Sequence, residues 1–348
     1  MDTVKGLGRP SFSPASLLQK NAVVCAWVIL FIAFSIWMPG TFCTWMNIRT
    51  LLSSQAVLVI VALAVLIPII AGDYDMSVAA NLTVVNILVA KLNVDLGLPI
   101  GLCVAIGLGV GVLIGAVNGF IVTKFHLNAF IVTMGMYTFL AGIALLISLQ
   151  TVTGVDRSLQ QAIYTKKLFG ISPSFFYALI LTVVIAYILT MTTAGRRVLI
   201  VGRNENVARL SGIHVDRTRL LCFVSSGFIA GLGGVVYTGV LGGGSPTGGL
   251  GYMMPAFAAV FLGSTCFRPG RFNAPGTIVA VYFLSTGTNG LQLQGAQSYV
   301  TNLFYGIALI VAVVFSAMAA KSREKHEAAL VRRKREMEEE KLRGSMQA

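Results

Sequence analysis

Ten charge-poor apolar runs follow one another along this chain, at 21–38, 51–70, 76–94, 100–122, 129–149, 175–191, 220–241, 253–267, 274–291 and 300–320. Most reach the roughly 17–25 residues that an α-helix needs to cross a bilayer. Inside hydrocarbon no water satisfies a free N–H or C=O, so runs of this kind fold as helices that close their own hydrogen bonds. Charged residues make up 11% of the chain, against about 25% in soluble domains, and this excludes a soluble globule. The expected fold class is an all-α polytopic membrane protein with about ten transmembrane helices. Two runs are weaker: 253–267 is short, and 274–291 is interrupted by Gly287, Asn289 and Gly290.

A net charge of +13 raises the question of nucleic acid, and the placement of the charges answers it. Lys and Arg collect on the cytoplasmic side of membrane proteins. With the N-terminus inside, that side holds three in 1–20, Lys124, six in the central segment 193–219, Arg268 with Arg271, and nine in 321–348. That is 21 of 26, so the basic charge is a topology signal and no nucleic-acid partner is expected. Lys91 alone lies within a run, near its outer end, where its ammonium snorkels to the interface. The expected domains are a cytoplasmic N-terminal segment (1–20), a transmembrane domain (21–320) carrying the cytoplasmic loop 193–219, and a charged cytoplasmic tail (321–348). The first run lacks a small-residue cleavage site and reads as an uncleaved span. The tail, with nine basic and six acidic residues, reads as a solvated helix, with membrane lipid or a partner as an alternative contact.

Several chemistries have no footing. Cys25, Cys43, Cys103, Cys222 and Cys266 form no CxxC pair and the three histidines stand far apart, so no metal is expected. The stretch GGGSPTGG lacks the Lys-Ser/Thr of a phosphate loop, and no GxxxxGK[ST] occurs anywhere, so the chain hydrolyses no nucleotide itself. No run carries a relay of Asp, Glu or His, which weighs against an ion-driven pump. No catalytic set and no cofactor are expected.

The ten runs divide into five and five, and the alternation gives the halves opposite topology. Each half has a turn-rich break after its second run: AGDYDMS at 71–77 and GGGSPTGGLGY at 242–252. Paired interruptions in inverted halves point to a translocation path. In the first break Asp73 and Asp75 are the only acids between Asp2 and Asp95. Either they line the path, with hydroxyls from Tyr74 and Ser77 beside them, or Asp75 and Ser77 cap the third span. Gly107, Gly111, Gly115 and Gly119 recur every fourth residue, as do Gly227 and Gly231. That spacing clears one helix face, for close helix packing or to line a pore.

The central segment, GRRVLIVGRNENVARLSGIHVDRTRL at 195–220, is the one long polar stretch between runs that is crowded with arginine. Gly202 is expected to start a polar turn, Asn204 to cap a short helix through Asn206, Val207, Ala208, Leu210 and Ser211, and Gly212 to end it. A helix of that length is unstable alone and makes sense as something that docks.

The order of these motifs resembles the permease subunit of bacterial ABC importers for ribose, xylose, arabinose, galactose and the related autoinducer, over about 21–320. The most specific part is GRNENVARLSGI, 202–213. By that resemblance Asn204, Glu205, Ala208, Arg209, Ser211 and Gly212 form the coupling helix that sits in a groove of an ABC ATPase subunit. It implies a non-catalytic inner-membrane permease that imports a monosaccharide or related polyol by alternating access. The implied partners are two ATPase copies, an external solute-binding protein, and a second permease copy or paralogue. Asp73, Tyr74, Asp75, Ser77 and Asn289 then become candidates for the path. The chain departs from the family pattern at Asp73 and Ala79, where glycines are usual, and at Met253 and Pro255, where the pattern has acids. The loop usually written Leu-Gly-Gly-x-Ser appears here as Leu262, Gly263, Ser264, Thr265 and Cys266, while Asn289, Gly290 and Leu291 keep a later motif. The alternative is a self-sufficient carrier or channel for a small polar solute.

Overall fold

In the computed structural model each of the ten apolar runs coincides for most of its described length with a helix. The structure describes residues 21–318, apart from 298, and Lys321; the segment 1–20 and the rest of the tail lie outside the described residues. The helices are α1 (Ala22–Trp37), α2 (Trp45–Ser54), α3 (Ala56–Ile70), α4 (Val78–Val94), α5 (Ile100–Lys124) and α6 (Ala129–Ile147). Then come α7 (Arg157–Gln160), α8 (Pro173–Met191), α9 (Thr193–Arg203), α10 (Glu205–Leu210), α11 (Val215–Leu241), α12 (Met253–Gly263), α13 (Ala274–Leu293) and α14 (Tyr299–Met318). Six spans among the described residues are long and apolar enough to cross a membrane: α2 continued by α3, α5, α6, α8, α11 and α14. The helices α1, α4 and α12 are apolar but shorter.

The hydrophobic periodicity of α3 is nearly flat, AVLVIVALAVLIPII, and its place explains why. Apart from Ile67 every side chain is buried, with α4, α8, α11, α12 and α13 packed around it. A helix that is apolar on all sides belongs at the centre.

The four-residue glycine spacing is helix packing, and the pore alternative is overturned. A Cβ on Gly115 would overlap the Phe223 carbonyl oxygen, and one on Gly227 would overlap that of Gly111, so α5 and α11 meet backbone to backbone. Gly107 faces the other neighbour, where a Cβ would stand 2.7 Å from Val89 of α4.

Contacts between loops join segments that the alternation puts on one side. Asn93 accepts from the Asp156 N–H at 2.9 Å, and Gly170 lies against Arg49. Two-residue strands pair Val152 with Gly244 and Thr153 with Gly243, an element the sequence pattern did not signal. On the opposite side, segment 193–219 meets the break at 71–77.

Candidate functional site

Two acids in an otherwise apolar surrounding need donors, and the break at 71–77 is built around supplying them. Helix α3 ends at Ile70, and Gly72 adopts φ +93°, a left-handed turn that suits glycine. Asp73 then faces Arg219 of α11 in a two-point pair, Nε to Oδ2 at 2.8 Å and a terminal nitrogen to Oδ1 at 2.6 Å. Planar guanidinium and carboxylate match in this geometry, so the pair fixes orientation as well as charge.

Asp75, two residues on, is sealed. Its Oδ1 accepts from the Ser77 N–H at 3.0 Å and the Ser77 hydroxyl at 2.6 Å, and its Oδ2 accepts from the Ser226 hydroxyl of α11 at 2.9 Å. The Asn118 amide of α5 donates to the Ser77 hydroxyl at 2.8 Å. Ser77 is the residue before α4, yet its side chain makes no cap bond; the carboxylate of Asp75 serves the Ser77 N–H instead. The simple cap is thus corrected to a carboxylate that ties the start of α4 to α5 and α11. The Thr133 hydroxyl of α6 accepts from the Met76 N–H and stands 2.9 Å from the Tyr74 carbonyl oxygen, so the irregular backbone is satisfied here too.

The structure brings Asp73, Tyr74, Asp75 and Ser77 together but leaves Asn289 apart. Asn289 accepts from the Asn47 amide at 3.1 Å, where α13 meets α2. Tyr74 is open, with its ring stacked on Phe261. Asp75 and Ser77 turn toward α5 and α11 and are buried in this conformation.

Residues 193–219 form two helices against this break. Gly202, expected to start a turn, instead lies inside α9, and a Cβ there would overlap the Ile70 carbonyl oxygen at the end of α3. Close packing outweighs the poor helix propensity of glycine. Asn204 caps α10, its Oδ1 accepting from the Val207 N–H at 3.1 Å. The other end closes on Gly212 (φ +76°), with Ile213 N–H donating to Ala208 and Gly212 N–H to Arg209. That is the paired bonding which commonly ends helices on glycine. Glu205 and Arg209 lie one turn apart at 2.8 Å, and Arg209 also reaches Asp216 at 3.2 Å. The Arg209 hydrogen bond holds the Glu205 carboxyl below the usual range, and so it is ionised at neutral pH.

Ala208, which the resemblance assigns to the coupling helix, is fully buried among Val201, Ile213 and Val215. What α10 presents outward is Leu210, 89% exposed, together with Val207, Glu205, Arg209 and Ser211. Leu210 was read only as part of the short helix and not as a site residue, because an apolar side chain there reads as packing; its signal was its place in a polar loop. Arg219 escaped because its partner lies 146 residues away. A cavity of about 240 Å³ between the break and the segment is lined by Ala71, Asp73, Gly202, Asn204, Glu205 and Arg219, among others.

No group of three or more metal-ligating side chains occurs among the described residues. A model of the family described as branched-chain amino acid transport system / permease component matches residues 47–313. The L-arabinose transport system permease protein AraH of Escherichia coli (strain K12) is 29% identical over 92% of this chain and 98% of its own length. The ribose import permease protein RbsC of Bacillus subtilis (strain 168) is 33% identical, covering 86% and 92%. The D-allose transport system permease protein AlsC of E. coli K12 is 30% identical, covering 89% and 95%. No solved structure matches.

Proposed function

The chain belongs to the branched-chain amino acid transport system / permease component family, and from that premise we propose that it is the permease of an ATP-driven importer for a monosaccharide. The family description speaks of amino acids. The relatives that match this chain nearly end to end carry arabinose, ribose and allose in their names, and this favours a sugar. The chain is a transport subunit and not an enzyme; ATP is hydrolysed by a separate ABC ATPase, and a solute-binding protein delivers the sugar.

The finer reading has ten membrane passes in two inverted halves, with both termini cytoplasmic in a bacterial inner membrane. Two permease copies, or one and a paralogue, bind two ATPase copies, and lipid contacts the basic tail. The distribution of Lys and Arg supports that orientation, as do the loop contacts that respect it.

The observation that carries the mechanism is the contact between α9–α10 and the break at 71–77. An ATPase gripping α10 through Leu210, Glu205, Arg209 and Ser211 moves a segment that has no slack at Gly202 and Ile70 and is tied at Arg219 and Asp73. The displacement reaches α3 and the start of α4, and alternating access follows as a rigid-body change. Asn204 and Gly212 act by holding α10 in shape, and Ala208 by packing it. Asp73 belongs to this transmission, Asp75 and Ser77 to the joint that α4 pivots on, and Tyr74 to the open side of the path. Asn289 is a contact on the outer side.

In vesicles carrying the permease with its ATPase and binding protein, the double substitution Glu205→Ala with Arg209→Ala is expected to cut ATP-driven uptake at least tenfold. The amount of permease in the membrane should stay unchanged. Uptake at the unsubstituted level contradicts the coupling role. Labelled L-arabinose, ribose and D-allose form the first panel for substrate identity.

A further inference from the structure

The two breaks approach one another inside the molecule. The second, at 242–252, is anchored on α4: the Asn86 amide donates to the Gly243 carbonyl oxygen at 3.1 Å and its Oδ1 accepts from the Ser245 N–H at 2.8 Å. Deeper still, a Cβ on Gly249 would press on Leu82 and Thr83, which lie about one helical turn from the first residue of α4, Val78. Helix α12 therefore starts at Met253 close to where the first break ends at Met76.

Between those two points lies a cavity of about 400 Å³, within the range of small-molecule sites. It is lined by Met76, Met253 and Met254 from the break ends, Met134 and Tyr137 from α6, and Asn302 with Tyr305 from α14. No charged side chain lines it. By the five-and-five division α6 and α14 are corresponding fifth and tenth spans, and Met76 and Met253 open the corresponding third and eighth. The cavity therefore lies where the two halves meet. Helices α6 and α14 are also the least buried of the six long spans, with 17% and 11% of their windows inside the protein. Asn302 is exposed in the first turn of α14, with its amide open to a solute.

We propose that this cavity is the transit site for the solute, and that it takes an uncharged, hydroxyl-bearing molecule with an apolar face. It rests on the importer reading above and adds where the solute passes and what kind it is. Methionine thioethers and tyrosine rings offer polarizable apolar surface to the C–H face of such a solute. The Asn302 amide and the Tyr137 hydroxyl offer hydrogen bonds without charge. Nothing here would offset the desolvation of an ion. Met76 directly follows Asp75, so movement of the first break moves a wall of the site.

The test uses the complete importer in membrane vesicles, with a cysteine in place of Met134, Met254 or Asn302, one at a time. The probe is 2-sulfonatoethyl methanethiosulfonate, which is charged and does not enter lipid. Adducts are located by peptide mass spectrometry, so the native cysteines stay in place. Each position is expected to react at least tenfold faster than a cysteine replacing lipid-facing Val183, and at a rate that differs at least threefold between the nucleotide-free and vanadate-trapped complexes. Asn302→Leu is expected to assemble normally and to lower uptake at least fivefold. Rates equal to that at Val183 in both states, with unchanged uptake for Asn302→Leu, overturn the site. If that happens while ATP-driven uptake persists, the importer reading stands and the solute passes elsewhere. Absence of ATP-driven uptake with all partners present overturns the importer reading itself.

Discussion

One methyl group at position 202 would collide with the carbonyl oxygen of Ile70, and the consequence is local and mechanical. Overpacking of this kind costs about 1–3 kcal/mol, all of it at the contact between α9 and α3. Gly202→Ala is therefore expected to leave the permease in the membrane and ATP hydrolysis by its partner measurable, while uptake falls at least tenfold. Uptake and hydrolysis measured in the same proteoliposomes check this, and a proportional fall in both contradicts it. Arg219→Ala leaves Asp73 buried without its partner, a loss of about 3–5 kcal/mol for a buried pair, and a lower melting temperature of the purified permease reads it. Glu205 has its carboxyl pKa depressed by Arg209, so its contribution is complete above the usual carboxylate range and is lost only as pH falls through the depressed value. Titration of Glu205 is thus expected to add no pH dependence to coupled uptake from about pH 6.5 to 8. The two aspartates were legible in the sequence, because acids in an apolar chain demand a reason. Their partners were not: Arg219 and Ser226 are brought in from a distant helix, and sequence spacing carries no trace of that.

At the scale of elements, the glycine seam and the short capped helix were readable and the helix before it was not. Four-residue glycine spacing predicts a cleared face, and α5 and α11 meet along one. Gly115→Leu is expected to abolish accumulation in the membrane. Gly109→Leu, where a Cβ meets nothing within 4 Å, is expected to accumulate normally, as quantitative immunoblotting will show. The cap at Asn204 and the stop at Gly212 were legible because their geometry is local. Helix α9 was hidden because Gly202 read as the start of a turn, and only its contact with α3 shows why glycine is there. The paired strands at 152–153 and 243–244 were hidden for a related reason, since two residues, half of them glycine, carry no alternation.

For the whole molecule, ordinary physics of the bilayer accounts for the helical class and for α3 at its centre. The polar contacts that bear on coupling lie in two breaks in the helices and one loop. The loop and the first break touch, through Gly202 on Ile70 and Arg219 on Asp73, and the first and second breaks share the wall of one uncharged cavity. A push on α10 thus has a continuous route to the place where a solute would pass. All of it requires that α10 lie in the cytosol in the grip of a separate ATPase. The most direct measurement is the labelling of Ser211→Cys by a membrane-impermeant maleimide in sealed vesicles of either orientation, with and without the ATPase. The account predicts labelling from the cytoplasmic face alone, and protection when the ATPase is bound. Labelling from the external face, or labelling that the ATPase leaves unchanged, would contradict it.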